Sequence, residues 1–194
     1  MITVVKFGGS LLGSREREGI LSAAARAGVV LVPGGGPFAD GVRTEQRRLV
    51  YGDRAAHAMA CLAMEQTAWA LNDLGPDFVA CSDQPAFAAA RAAGRPAIWL
   101  PSAMAIEAPL PASWDVTSDS LALWLAIELR ADRLILLKAA AAAEGGLEAW
   151  AAAGTVDPVF APLAEEFSGE IALVGPATAA AFEAALAAPI RRAA

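Results

Sequence analysis

Lysine is nearly missing from this chain: only Lys6 and Lys138 occur among 194 residues, beside thirteen arginines. Positive charge as such is therefore tolerated. Each lysine closes a short apolar run that reads as a β-strand. Compositional drift would make lysine rare, but it would not place both survivors at strand ends. Cysteine is equally sparse. Cys61 and Cys81 are too few for a disulfide framework, which fits a reducing cytosol and a cytoplasmic location. Hydrophobic residues reach 56%, yet no uninterrupted apolar run approaches membrane-spanning length; the candidates, 120–127 and 171–182, are short or broken by Gly and Pro. A membrane partner is not expected. Nor does the N-terminus resemble a secretory signal, since residues 2–5 run straight into Lys6 and glycines. A basic excess is also lacking: net charge −6 and a pI near 4.8 argue against nucleic acid as the main partner. Repeats and low-complexity linkers are missing too, so 1–194 reads as a single domain with a real core.

What is present is an alternation. Apolar runs bounded by turn residues recur at 3–6, 29–33, 77–80, 97–100, 134–138 and 171–174. They are β-branched or leucine-rich without strict alternation, as in strands buried on both faces. Helical segments fall between them at about 15–27, 54–74, 84–93, 118–130 and 178–187. The fold class is therefore α/β, a three-layer αβα sandwich around a mainly parallel sheet. The alanine-heavy stretch 139–153 stays open between a poor helix and a mobile loop. In open parallel sheets ligands gather beyond the carboxyl ends of the strands. Here those ends carry Lys6-Phe7-Gly8-Gly9-Ser10, Pro33-Gly34-Gly35-Gly36-Pro37, Ser82-Asp83, Pro101-Ser102, Lys138 and Gly175-Pro176. The unusual residues collect on one rim, which points to a small-molecule site.

Two glycine loops face that rim. A buried strand that releases a lysine and then bare backbone suits phosphate, because a compact ammonium stands beside unobstructed N–H donors. Gly34, Gly35 and Gly36 free the backbone for positive φ and close approach, and the helix after them adds its positive end. One such cluster is often only a tight turn; two on one rim are harder to explain that way. Neither matches the P-loop or Gly-x-Gly-x-x-Gly, so a Walker ATPase or dinucleotide fold is disfavoured. With an acidic chain, attraction for an anion must come from local geometry. Thr117 or Ser118 can cap the helix that follows Trp114-Asp115-Val116, an amphipathic run ending at Arg130, and Asp119 lies in its first turn. Capping explains all three residues, and is preferred for Ser118. Asp115 and Asp119, four apart beside two lysines, also permit orienting the lysines and holding Mg2+ through nucleotide phosphates.

Taken together, Lys6 to Ser10, Gly34 to Gly36, Thr117 to Asp119 and the run Ala131-Asp132-Arg133-Leu134-Ile135-Leu136-Leu137 resemble the amino acid kinase superfamily. His57-Ala58-Met59-Ala60-Cys61-Leu62-Ala63-Met64-Glu65-Gln66, Asp115-Val116-Thr117-Ser118-Asp119-Ser120 and Val156-Asp157-Pro158-Val159-Phe160 are similar to its branch of aminomethylfuran-methyl phosphate kinases, of methanofuran or methylofuran biosynthesis. That resemblance implies ATP and Mg2+ as cofactors and a homodimer or higher homo-oligomer. It implies that Lys6 contacts the transferred phosphoryl group, with Gly8, Gly9 and Ser10 nearby. Gly34, Gly35 and Gly36 would cradle the acceptor or the γ-phosphate, Thr117 would join the phosphate-binding set, and Asp119 would position the lysines. The chain departs from the family where Ala139 to Ala143 replaces a Thr-Asp-x-x-Gly stretch. No lysine follows Lys138, which would have to stand in for the family's second lysine, and the C-terminal part is shortened.

The acceptor side is read from Asp40, Arg43, His57 and Asp115. His57, the sole histidine, has Cys61 four residues on, which could put two metal ligands on one face. A packed histidine is the commoner outcome, and the resemblance makes it an acceptor-pocket candidate. Arg43, Arg47, Arg48 and Arg54 usually would form a solvated face; Arg43 is the first choice for a bidentate grip on an acceptor phosphate. A phosphate monoester acceptor needs no general base, because its second pKa of about 6 leaves it anionic at neutral pH. A carboxylate acceptor shares that property, whereas a hydroxyl would call on Asp115 or Asp157. The expected function is thus transfer from ATP to a small phosphate monoester, giving a diphosphate. The alternatives are a non-catalytic nucleotide or oxyanion binder on the same scaffold, and a subunit holding half of a shared site.

Overall fold

The computed structural model describes residues 1–141, 143 and 145–190. Its strands are β1 (Thr3–Phe7), β2 (Val30–Pro33), β3 (Val79–Cys81), β4 (Ala97–Trp99), β5 (Arg133–Leu137) and β6 (Glu170–Val174). Its helices are α1 (Arg17–Arg26), α2 (Gly36–Leu49), α3 (Asp53–Leu74), α4 (Gln84–Ala92), α5 (Ser102–Ala105), α6 (Ser118–Glu128), α7 (Leu147–Ala152), α8 (Phe160–Ala164) and α9 (Ala179–Ala187). Each expected strand forms, with ends moved by a residue or two. Lys6 is the penultimate residue of β1 and Lys138 directly follows β5. The alanine-rich stretch divides: 139–141 are non-helical, and α7 begins only after Gly145 and Gly146 at positive φ. Residues 142 and 144 of that stretch lie outside the described residues.

The six strands form one sheet in the order β3-β4-β2-β1-β5-β6, every pair parallel. From β1 and β2 the chain goes to β3 at the sheet edge, inserts β4 between β3 and β2, then returns to the other side of β1 for β5 and β6. This reversal puts the loops after β1 and β5 on either side of a crevice, the usual ligand position in such sheets. Lys6 and Lys138 flank it.

Strand periodicity decides which way the lysines point. Val4 of β1 and Leu134 and Leu136 of β5 pack in one core cluster with α6 and α8. Val5 and Phe7, with Ile135 and Leu137, pack in the other with α1 and α9. Lys6 shares the face of Val4 and sits opposite Leu136 in the register. Lys138, two residues past Leu136, continues on that same face. Both lysines therefore extend toward the layer that contains α6.

The segment of α6 is not the amphipathic helix its sequence suggested. Residues 119 to 126 are all buried, because the sheet covers one side of the helix and α8 the other. A helix apolar all round belongs in an interior. Its first turn, with buried Asp119 and Ser120, is the exception. The long α3 pairs with α2 as a hairpin and contributes to both core clusters. No helix among the described residues is long and apolar enough to cross a membrane.

Candidate active site

At the carboxyl rim the first glycine turn rests against the second. The Gly34 N–H donates to the Phe7 carbonyl at 2.8 Å. A Cβ on Gly9 would stand 2.3 Å from the Gly36 nitrogen, and one on Gly34 would stand 2.5 Å from the Gly9 nitrogen. Side chains of any size would push the loops apart. Gly36, at φ +51, additionally needs glycine for its backbone conformation. Thus Gly34 serves loop packing, and its amide is spent there. The N–H groups of Gly8, Gly9, Ser10, Gly35 and Gly36 donate to no described residue, so a row of backbone donors remains for an anion. The 14-residue α2 starts at Gly36 and adds its positive end.

The Lys6 ammonium lies beside this row; a Cβ on Gly8 would be 3.7 Å from its Nζ. Asp119 of α6 spans the crevice. Its Oδ1 is 2.9 Å from Lys6 Nζ, an ion pair outside hydrogen-bond alignment, and its Oδ2 accepts from Lys138 Nζ at 2.6 Å. Lys6 and Asp119 are only 5% and 4% exposed, whereas the Lys138 side chain is 18% exposed. One carboxylate thus orients two ammonium groups and leaves the trio a net positive charge. Burial alone would raise the Asp119 pKa, but the charges of Lys6 and Lys138 outweigh it and hold it below 3.8. For Lys138 burial dominates, followed by repulsion from Lys6, and its pKa falls below 10.5 despite Asp119. Phosphate attraction should therefore fade as pH rises, with the alkaline limb of kcat/KM for ATP lying below 10.5. A profile flat through that pH would remove Lys138 from the site.

Asp119 has its own support, which the sequence reading assigned differently. Asp157, there a candidate base for a hydroxyl acceptor, is instead a buried anchor. Its Oδ2 accepts from the Thr117 N–H at 2.9 Å, the Thr117 hydroxyl at 2.7 Å and the Ser120 N–H at 3.2 Å. Its Oδ1 accepts from the Ser120 hydroxyl and from the Val159 N–H. The Thr117 hydroxyl in turn accepts from the Asp119 N–H at 3.3 Å, making Thr117 the N-cap. Five donors leave Asp157 no free lone pair for general base work. The available signal was an acidic residue isolated between Val156 and Pro158, but a separation of 40 residues hid its partners. Asp157→Ala should cost about 3 kcal/mol, or about 10 °C in melting temperature, because charged hydrogen bonds at the α6 N-terminus are lost. Thermal denaturation checks this; a change under about 2 °C would make the anchor dispensable.

The acceptor candidates divide. Gly35, Arg43, His57, Trp114, Thr117 and Ser118, with Cys61 and other apolar neighbours, line one cavity of about 100 Å3. Asp40 and Asp115 are exposed and do not line it. His57 is buried with Nε2 3.2 Å from the Ala105 carbonyl, a bond that requires the proton on Nε2. Cys61 Sγ lies 3.8 Å from the same nitrogen, and no cluster of three metal-ligating side chains exists among the described residues. Burial, then Glu65, pushes the Cys61 thiol up to about 12, which makes it inert. Trp114 was missed: the indole stands in the cavity wall under the Arg43 guanidinium, whose Cζ is 4.3 Å from the ring centroid.

A second hollow of about 590 Å3 opens beside Lys138, bounded by Ser10, Ala139, Ala140, Ala141, Ala143, Ala153, Gly154 and Thr155. Lys138 borders this hollow, while Thr117 and Ser118, the neighbours of Asp119, border the smaller cavity, so the trio of Lys6, Asp119 and Lys138 links the two. The larger cavity has room for a donor nucleotide, with Ser10 and Lys138 in its wall. Both oxygens of Asp119 and both of Asp157 are already engaged, so a magnesium ion there would be held through the phosphates. A hollow of about 190 Å3, between α4 and α6 at the opposite rim, is remote from this chemistry.

Residues 1–141 match the model of the amino acid kinase family, a span that holds Lys6, both glycine loops, Asp119 and Lys138. No curated protein sequence matches the chain. Among solved structures it is similar to a uridylate kinase from Archaeoglobus fulgidus, with 16% identity, a TM-score of 0.68 and 98% of each chain covered. It is also similar to a UMP kinase from Ureaplasma parvum, with 17% identity, a TM-score of 0.63, and 89% of this chain and 88% of that chain covered. At such identities the likeness is one of fold.

Proposed function

The chain belongs to the amino acid kinase family and is by that membership a kinase-type phosphotransferase, and we propose that it transfers phosphate from ATP to a small phosphate monoester. The observation that carries this is the absence of a free carboxylate among the described residues lining the two cavities. Asp119 is held by two lysines and Asp157 by five donors. A nucleophile that arrives already anionic fits such a site. A monoester dianion attacking the γ-phosphorus forms one P–O bond as the bond to the β-bridging oxygen breaks. The products are a diphosphate monoester and ADP, and no proton has to be removed.

Arg43 gives the acceptor side a grip for an oxyanion. It is half-buried in the cavity wall with no carboxylate partner among the described residues, and a planar guanidinium matches two phosphate oxygens at once. Both structural neighbours are named for uridylate, itself a phosphate monoester. The enclosed cavity of about 100 Å3 lies below the usual range of roughly 300–1,000 Å3 and suits a small organic part, while Arg43 and Trp114 also border an open hollow of about 490 Å3. Together with the sequence resemblance, that favours [5-(aminomethyl)furan-3-yl]methyl phosphate, a step in methanofuran or methylofuran biosynthesis.

Catalysis is then alignment and charge neutralisation. Lys6 and the free amides of Gly8, Gly9 and Ser10 stabilise charge on the phosphoryl group in flight. Lys138 neutralises the donor side, and Asp119 keeps both ammonium groups converged between the two cavities. Magnesium, when bound, would neutralise further charge on the donor phosphates. One observation favours a second reading: the donor hollow is walled largely by alanines, with Ser10 and Thr155 its polar side chains besides Lys138. A non-catalytic nucleotide or oxyanion binder would need no more. ADP release with Mg-ATP and a panel of aminomethylfuran-methyl phosphate, isopentenyl phosphate, uridylate, aspartate and acetylglutamate decides between them. Turnover on a monoester alone supports the proposal. Turnover on aspartate or acetylglutamate alone overturns the acceptor class, and a thermal shift with ATP but no turnover selects the binder.

A further inference from the structure

The cavity wall that carries Arg43 is braced in a way the transfer reaction does not by itself require. Trp114 lies in the connection between α5 and α6, Arg43 and Gln46 lie one turn apart on α2, and Asp53 opens α3. The Trp114 indole N–H donates to Gln46 Oε1 at 2.6 Å, and Gln46 Nε2 donates to Asp53 Oδ1 at 2.8 Å and to the Tyr51 carbonyl at 3.3 Å. Chemistry permits one orientation of that amide. An indole nitrogen can only donate, and a carboxylate can only accept, so Gln46 must present oxygen to one and nitrogen to the other. The Tyr51 hydroxyl closes the same hairpin by donating to the Val42 carbonyl at 2.8 Å. Four segments are thus joined through one glutamine, and the indole plane is set by them.

Over that plane sits the Arg43 guanidinium, 4.3 Å from the ring centroid. Stacking occupies a face of the guanidinium and leaves its edge donors unpaired: Arg43 makes no ion pair or hydrogen bond among the described residues. A half-buried cation held by its face, with every donor unspent beside a cavity, is prepared for an oxyanion. We propose that Trp114 and Gln46 are positioning residues that hold Arg43 as the clamp for the acceptor's phosphate. This rests on the phosphate monoester reading and extends it to the specificity-determining wall. The clamp acts on the acceptor alone, because Arg43 and Trp114 line the smaller cavity and not the hollow beside Lys138.

The test is calorimetric titration of inorganic phosphate into protein saturated with a non-hydrolysable ATP analogue, so that phosphate reports the acceptor side whatever its organic part. Trp114→Ala and Gln46→Leu are expected to weaken phosphate at least tenfold while analogue affinity stays within twofold. Trp114→Phe keeps the stacking face, folds with the least perturbation, and should lose about threefold. Arg43→Lys should weaken phosphate as well, since an ammonium over the indole lacks the paired edge donors of a guanidinium. Wild-type protein that binds phosphate with variants that bind it equally well would overturn the clamp and leave the acceptor reading standing. Loss of analogue and phosphate binding in parallel would show a merely structural role and overturn the clamp as well. Wild-type protein that binds no phosphate would overturn the monoester reading together with the clamp.

Discussion

Lys6→Ala is expected to lower kcat by about three orders of magnitude while the protein stays folded. A preorganised donor aimed at developing charge contributes roughly a hundred- to a thousandfold to rate, and Lys6 carries a full charge in a nearly dry site. It is 5% exposed, faces the Gly8–Ser10 turn, and is held by Asp119 at 2.9 Å. The loss has two parts. The ammonium itself disappears from the transferred phosphoryl group, and the trio falls from a net positive charge to neutrality. Stability should suffer less than activity, since Asp119 keeps the bond to Lys138 and does not become an unpaired buried charge. ADP release measured beside a thermal melt separates the two effects. Residual activity within tenfold of wild type would refute the role, whichever acceptor is used.

Asp119→Asn should be damaging in both respects. The amide has the carboxylate's shape but no charge, so two ammonium groups are left facing each other in a buried crevice. Removing one member of a buried charge set costs about 3 kcal/mol, and Lys138, already held below 10.5 by burial and by Lys6, is driven lower still. A drop of about a hundredfold in kcat is expected as one lysine gives up its proton. The pH dependence of stability carries the sign. Asp119 has a folded pKa below 3.8, so its contribution is fully present above the unfolded value and is lost as pH falls through the folded one. Wild-type protein should therefore lose stability below about pH 4 more steeply than the asparagine variant. Parallel acid profiles for the two proteins would mean that Asp119 does not sense the lysines.

Some of this was legible in the residues alone, and the reason is local. Runs of β-branched and leucine residues separated by helical stretches specify strands buried on both faces, and all six formed. That Lys6, Lys138 and both glycine loops share one rim follows from a parallel sheet, where every strand ends on the same side. The choice of Asp119 as the lysines' partner came from resemblance, and the geometry gave it distances. Short α5, α7 and α8 escaped notice because four to six residues carry too little periodicity to stand out. The mistaken amphipathic reading of α6 had a different origin. Polar residues at its ends suggested a wet face, while the cover supplied by α8 lies some 35 residues further on.

What the sequence determined by itself was therefore the architecture, the rim on which the candidate site residues gather and the scarcity of lysine that marked it, all consequences of period, turn chemistry and chain direction. Tertiary structure alone decided the working assignments: Asp157 as the anchor of α6 rather than a base, Gly34 as a brace between loops, Asp40 and Asp115 outside the cavity, and Trp114 beneath Arg43. Except for the exposed Asp40 and Asp115, each depends on groups distant in sequence meeting at about 3 to 4 Å, with their hydrogen bonds spent or left free accordingly. No spacing rule reports which lone pairs are already used.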